Sequence, residues 1–283
     1  MTPKIQIFIT GDLGKVGSLI TNHLKHKYSL VGYDLQRSSK EDIRNYKNVR
    51  NKIRGCEYVI HAAAIPGKGL AEPFEYFEVN VEGAHNVMRA AKEQGVKRFI
   101  YISSVTAYGW FMEKRWTPHY FPIDERHPVT PLDEINKGMQ DIYGVSKLMA
   151  ENLLSWYGSN HLYQTVAFRL ATVAKKSEMF SKGANAERER GWQQTFFTNL
   201  DPEAIGPVIE SSLTADLPSG FEIFNLCDWF ATDLINIKSF LQSHYPEVKT
   251  LADFSNNESL LSAKKARNLL GYRPVDLNIN DND

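Results

Sequence analysis

The stretch Ile5-Gln6-Ile7-Phe8-Ile9-Thr10-Gly11-Asp12-Leu13-Gly14-Lys15-Val16-Gly17 decides the fold. Ile5, Ile7 and Ile9 alternate with Gln6 and Phe8 and stop at Thr10-Gly11, which reads as a buried first strand meeting a tight turn. Val16 to Leu24 then carries helical spacing, so Gly11, Gly14 and Gly17 lie between a strand and its helix. Missing side chains there let the backbone approach a pyrophosphate at the helix N-terminus. Glycines also mark ordinary turns; the strand before, the helix after and an acid, Asp34, at the end of the second strand make this a cofactor loop.

Working outward, Leu30 to Tyr33 is a second apolar run ending at Asp34, and Tyr58 to Ile60 a third, ending at His61 before Ala62, Ala63 and Ala64. These runs lack polar alternation, as expected when helices cover both faces of a parallel sheet. Val81, Ala84, Val87, Met88 and Ala91 repeat at helical spacing, closed by Gly95, and Phe99 to Ile102 follows as a strand ending at Ser103-Ser104. A helix from Tyr143 to about Tyr157 precedes a strand over Gln164 to Leu170. Later, Phe221 to Leu226 reads as a strand, Thr232 to Leu241 as a capped helix, and Ser262 to Leu270 as a helix closed by Gly271 and Pro274. Strands alternating with helices predict an α/β fold with a doubly wound parallel (Rossmann) sheet, with ligands at the carboxyl ends of the strands. Residues 1–170 are assigned to the dinucleotide-binding domain carrying the catalytic residues. Residues 171–283 are assigned mainly to a small substrate-binding lobe whose late strand and helices return to the core.

Composition narrows the partners. The 33 Lys and Arg balance 33 Asp and Glu, so nothing in the net charge attracts nucleic acid or an anionic membrane. Cys56 and Cys227 stand far apart, outside any disulfide framework or metal-ligand spacing. The start lacks the apolar core of a signal peptide and no run reaches membrane-spanning length, so the expected location is the cytoplasm.

Asp34 sits where a carboxylate can accept hydrogen bonds from adenosine ribose hydroxyls, which favours NAD over NADP, since a 2'-phosphate would meet a like charge. Arg37 works the other way, because a guanidinium three residues on could pair with that phosphate. In Tyr143-Gly144-Val145-Ser146-Lys147, Tyr and Lys fall on one helix face, so the ammonium can lie near the phenol. A phenol with a pKa of about 10 must drop roughly 3 units to act as a base near neutrality, worth about 4 kcal/mol, and a nearby cation can contribute that. Ser104, at the end of a central strand, supplies a hydroxyl for a substrate oxygen beside that phenol.

With these pieces together the chain resembles the extended short-chain dehydrogenase/reductase family, the NAD-dependent epimerase/dehydratase group. The resemblance rests on Thr10 to Gly17, Asp34, His61 to Ala64, Asn80-Val81-Glu82-Gly83, Ser103 to Gly109, Pro122-Ile123-Asp124-Glu125, Tyr143 to Lys147 with Glu151, and Ala266 to Pro274. It implies that Ser104 and Tyr143 bind the reacting oxygen, Tyr143 exchanges its proton, Lys147 tunes Tyr143 and holds the nicotinamide ribose, and Asn80 braces the site. Cofactor contacts would come from Gly11, Leu13, Gly14, Lys15, Val16, Gly17, Asp34, Leu35, Asp42, Ala62, Ala63, Ala64, Asn80, Tyr143 and Lys147. A homodimer sealed by two helices is the family's usual assembly.

Departures from the family pattern shape the substrate reading. The segment between Asp34 and Tyr58 is too short for the usual extra strand and helix, so the edge strand is expected to be lost or reduced. Val105 and Thr106 stand where dehydratases carry an Asp-Glu pair, and Ala171-Thr172-Val173-Ala174 replaces the Asn and Gly-Pro turn of nucleotide-sugar enzymes. The layout is similar to uronate and aldose dehydrogenases, which implies hydride transfer between NAD and a hydroxyl or carbonyl carbon of a sugar-like small molecule. Ser104, Val105, Thr106, Arg188 and Arg190 are its candidate contacts, with no metal. The insertions 110–120 and 132–142 could shape the pocket. A nucleotide-sugar epimerase and a non-catalytic NAD sensor are the alternatives.

Overall fold

Six parallel strands run through the centre of the computed structural model, which describes residues 4–67, 69–109, 117–129, 142–175, 198–228, 236–254 and 259–274. They are β1 (Gln6–Thr10), β2 (Ser29–Tyr33), β3 (Tyr58–His61), β4 (Arg98–Ser104), β5 (Gln164–Leu170) and β6 (Phe221–Leu226), in the order β2-β1-β3-β4-β5-β6. The apolar runs form strands because both of their faces are covered. Ile7, Ile9, Ile100, Ile102, Val166 and Phe168 join one apolar core, while the intervening Phe8, Phe99, Tyr101 and Ala167 join the other. Each strand is thus divided residue by residue between two helical layers, and each buried aliphatic or aromatic side chain contributes about 1.5–3 kcal/mol.

Helix α1 (Lys15–Leu24) covers the first face; α2 (Tyr46–Lys52), α4 (Ala84–Gln94) and α5 (Ile142–Ser159) cover the second, and the one-turn α3 (Pro73–Tyr76) packs against α5. Among the described residues no strand lies beyond β2, as the expected loss of the edge strand requires, but the connection keeps the short helix α2, capped by Asn45. The strand order therefore reverses between β1 and β3, and ligands to such a sheet lie at that point, beyond the carboxyl ends of the strands.

Past residue 170 the chain returns to the sheet. β6 pairs along β5, and helix α6 (Pro202–Thr214), capped by Asp201 and not anticipated from sequence, packs against α1. Helix α7 (Ile237–His244) is capped by Asn236; the expected start at Thr232 lies outside the described residues, and the helix continues three residues past Leu241. In α8 (Lys264–Leu270), Ser262 Oγ accepts a hydrogen bond from Lys264 N, and Gly271, at φ 66°, ends the helix in the left-handed conformation. The outer edge of β6 is occupied by side chains: Asn225 N donates to Glu125 Oε1 at 2.8 Å and Lys265 Nζ donates to Ile223 O at 2.8 Å.

The end of α5 is set by a backbone contact. A Cβ on Gly158 would meet Gly220 O at 2.4 Å and Thr165 Oγ1 at 2.1 Å, so only glycine lets the helix lie this close to the start of β6. Gly158→Ala should force these elements apart and cost about 1–3 kcal/mol, measured as a lowered urea midpoint. An unchanged midpoint would show that the approach is not tight.

Candidate active site

The cofactor loop is held by contacts that admit no side chains. Gly11 has φ 68°, and a Cβ on it would meet Ala63 N at 2.6 Å; one on Gly17 would meet Gly11 O at 1.9 Å. Gly14 caps α1 without a side-chain bond to the first-turn amides, which leaves those N–H groups available to an anion. Leu13 N donates to Asp34 Oδ2 at 3.0 Å and Gln36 N to Oδ1 at 2.8 Å, so the Asp34 carboxylate is fixed beside the loop. Leu13 and Leu35 are exposed around it, Val16, Ala62, Ala63 and Ala64 are partly buried, and Lys15 Nζ donates to Val173 O at 2.5 Å. These residues fit a dinucleotide: backbone amides at a helix start for its phosphates and a placed carboxylate for a ribose.

Asp42, read from sequence as a cofactor contact, and Arg37, read as a residue that could pair with a 2'-phosphate, both have other partners. The carboxylate of Asp42 is clasped by Arg44, with Nη2 to Oδ2 at 2.6 Å. Arg37 pairs with Asp12 at 2.6 Å and with Glu41 at 2.8 Å, a pairing that sequence reading missed because Asp12 looked like part of the glycine turn.

Tyr143 and Lys147 lie on α5, one turn apart, with Lys147 Nζ 5.8 Å from the Tyr143 ring. Lys147 is 3% exposed, donates to Ile102 O at 2.8 Å and lies 4.8 Å from the Tyr101 ring. Burial lowers its pKa to about 7, opposed by the Glu151 carboxylate. His61, behind it, stacks on Tyr101 at 5.7 Å, hydrogen-bonds to Thr10, and is held neutral: burial, and secondarily Lys147, lowers its pKa to about 3.

Asn80 lies in a π-helical segment, Phe77–Gly83. Its Oδ1 accepts from Ile65 N at 2.8 Å, and its amide donates to Ile65 O and to Ser146 Oγ at 3.0 Å, one residue before Lys147. Irregular helical turns of this kind recur at functional sites. Ser104 is partly buried at the end of β4, where its Oγ accepts from Thr106 N at 3.2 Å in the 3-10 turn Val105–Tyr108. Val105 packs into the core and Thr106 is buried, whereas Arg188 and Arg190 lie outside the described residues, as do residues 110–116 and 132–141 of the two insertions.

Beneath these groups runs a buried polar network. Glu151 and Arg169, 2% and 3% exposed, form a two-pronged pair at 2.6 to 3.2 Å. Ser103 Oγ donates to Glu151, and the Arg169 guanidinium lies 4.3 Å over the Tyr108 ring. Tyr108 OH lies within hydrogen-bond distance of two acceptors, Asn225 Oδ1 at 2.9 Å and Asp124 O at 3.0 Å, which share its one proton. The network joins helix α5, the strand end carrying Ser104 and the last two strands of the sheet. Glu151 was visible in the sequence only as part of a motif, and nothing in the spacing linked it to Arg169.

Residues 7–185 match the family described as the NAD dependent epimerase/dehydratase family. A curated relative, the N-acetyl-alpha-D-glucosaminyl-diphospho-ditrans,octacis-undecaprenol 4-epimerase of Escherichia coli O157:H7, is 27% identical over 193 residues, covering 65% of this chain and 50% of the relative. The chain therefore aligns with about half the length of that protein. Among solved structures, an NAD-bound short-chain dehydrogenase/reductase superfamily protein from Agrobacterium tumefaciens superposes with a TM-score of 0.68, at 21% identity and 95% and 92% coverage of the two chains. A mutated uronate dehydrogenase superposes at 0.63, with 19% identity and 99% and 90% coverage.

Breaking the buried ion pair tests the network. Glu151→Gln should strand a buried guanidinium and cost about 3–5 kcal/mol, whereas Glu151→Leu with Arg169→Met should recover most of that stability, both read from urea midpoints. A double variant as unstable as the single one would mean that the pair is not what the single substitution breaks.

Proposed function

Because the chain belongs to the NAD dependent epimerase/dehydratase family, we propose that it is an NAD-dependent oxidoreductase of the extended short-chain type acting on a sugar-like substrate. The observation that supports this is the Tyr143 phenol beside the buried Lys147 ammonium, on the helix packed against the turn that follows Ser104. Bound at Gly11, Gly14, Gly17 and Asp34, NAD supplies the hydride-accepting and hydride-donating ring. Ser104 orients the substrate oxygen by a hydrogen bond, and Tyr143 takes the hydroxyl proton in oxidation or returns it in reduction. A cation at Lys147 stabilises the phenolate, and Asn80 holds the α5 backbone through Ser146. Burial disfavours that charge and the Glu151 carboxylate favours it, while the Tyr101 ring face lies 4.8 Å from the ammonium.

A free monosaccharide, a uronate or an aldose, is the substrate class we favour, because Val105, Thr106 and Ala171 to Ala174 offer neither dehydratase acids nor a nucleotide-sugar turn. Similarity to 4-epimerases keeps epimerisation of a nucleotide sugar as the second reading. Absorbance at the NADH band across aldoses, uronates, polyols and UDP-sugars separates the two: net NADH from a free sugar supports the dehydrogenase, and epimer formation without it supports the epimerase. Tyr143→Phe should abolish turnover while NAD affinity stays within about threefold; retained turnover would remove Tyr143 from the mechanism.

The same reading includes a homodimer. Met149 and Trp156, on α5, are exposed, as are Phe74 and Phe77 on the segment packed against that helix, and exposed apolar side chains on these two elements suit burial against a second copy of this chain. Trp156→Glu should halve the mass found by light scattering; a wild-type chain that runs as a monomer would end this part of the reading.

A further inference from the structure

Asp12 is an acidic residue inside a glycine loop, 6% exposed, and neither turn nor phosphate contact calls for its charge. Its carboxylate lies against the backbone of Gly32 on β2: a Cβ there would meet Asp12 Oδ2 at 2.3 Å. Arg37 folds back to this carboxylate with both terminal nitrogens, Nη2 to Oδ2 at 2.6 Å and Nη1 to Oδ1 at 3.3 Å. Glu41 holds the same guanidinium from the other side at 2.8 Å while also accepting from Asp34 N at 3.0 Å. Asp12 and Arg37 line a cleft of about 480 Å³ along β2, with Lys25, Gly32 and Lys52, on the flank where β2 is the outermost strand among the described residues.

We propose that Asp12 is a cofactor-specificity residue: by seating Arg37 against Gly32 it withdraws a guanidinium that could otherwise neutralise a 2'-phosphate beside Asp34, and so excludes NADP. The inference rests on the dinucleotide reading above. A guanidinium free to turn toward the ribose would form a two-pronged pair with a phosphate and offset the repulsion from Asp34. Here the phosphate must compete with a pair already made, because pulling Arg37 away leaves a buried carboxylate without its cation. Gly32 is the enabling position, since any side chain there displaces Asp12. Discrimination is thus built from four residues, Asp12, Gly32, Arg37 and Glu41, that need not touch the cofactor.

Calorimetric titration of NAD and NADP into the full chain tests this. Wild type should bind NAD about 100-fold or more tightly than NADP. In Asp12→Ala with Glu41→Gln, tighter NADP binding should narrow that ratio about tenfold or more, and adding Arg37→Ala should restore it. Gly32→Ala, which displaces Asp12 without removing a charge, should narrow the ratio in the same direction. The inference is overturned if the Asp12/Glu41 variant binds NAD yet keeps the wild-type ratio, or if wild type binds both dinucleotides equally. A wild-type chain that binds neither overturns the dinucleotide reading itself.

Discussion

The buried Glu151–Arg169 pair is the constraint on which the rest of the site depends. Two charges removed from water are stable only when each is matched, and here the matching groups come from the helix of Tyr143 and Lys147, the strand of Ser104, and the sheet's far half. A shift of α5 relative to β4 would break the Ser103 bond and the ion pair together. The face of α5 that carries Tyr143 and Lys147 and the strand end that carries Ser104 are therefore locked in register by electrostatics.

Much of this architecture was legible in the chain because it rests on local rules. The strand of Ile7 and Ile9, the glycines behind it, the acid at position 34, and the Gly95 and Gly271 helix ends each follow from residue spacing or backbone conformation. The strands over Gln164–Leu170 and Phe221–Leu226 were readable for the same reason. Helix α6 was not, since its sequence carries Gly206 and Pro207 within the helix and owes its place to packing on α1.

The candidate site was legible as a set of residues, not as a network. Tyr143 and Lys147 could be named because their chemistry fixes their spacing, and Ser104 and Asp34 because each stands at the end of a readable strand. The partners of Arg37, Asp42 and Arg169 could not be named. Each ion pair depends on which turn folds back over which strand, and Asp12 and Arg37 are 25 residues apart. Charge identity is written in the sequence; charge pairing is decided by tertiary structure.

The π-helical segment around Asn80 has a further consequence for the chain's phase. One extra residue in that turn means that positions before Phe77 and after Gly83 do not share a single helical period: Phe74 and Phe77 face outward while Tyr76, Asn80 and Val81 are buried. A heptad or 3.6-residue ruler laid from α3 into α4 drifts out of step there. Removing one residue between positions 77 and 83 would close the wide turn to an ordinary α-helical one: the flanks would stay in step, but Asn80 would lose the displaced backbone that aims its amide at Ile65 and Ser146. The clamp on Ile65 and Ser146 is thus tied to residue count as well as residue identity, and insertions or deletions at this point are far less neutral than in the loop that precedes it.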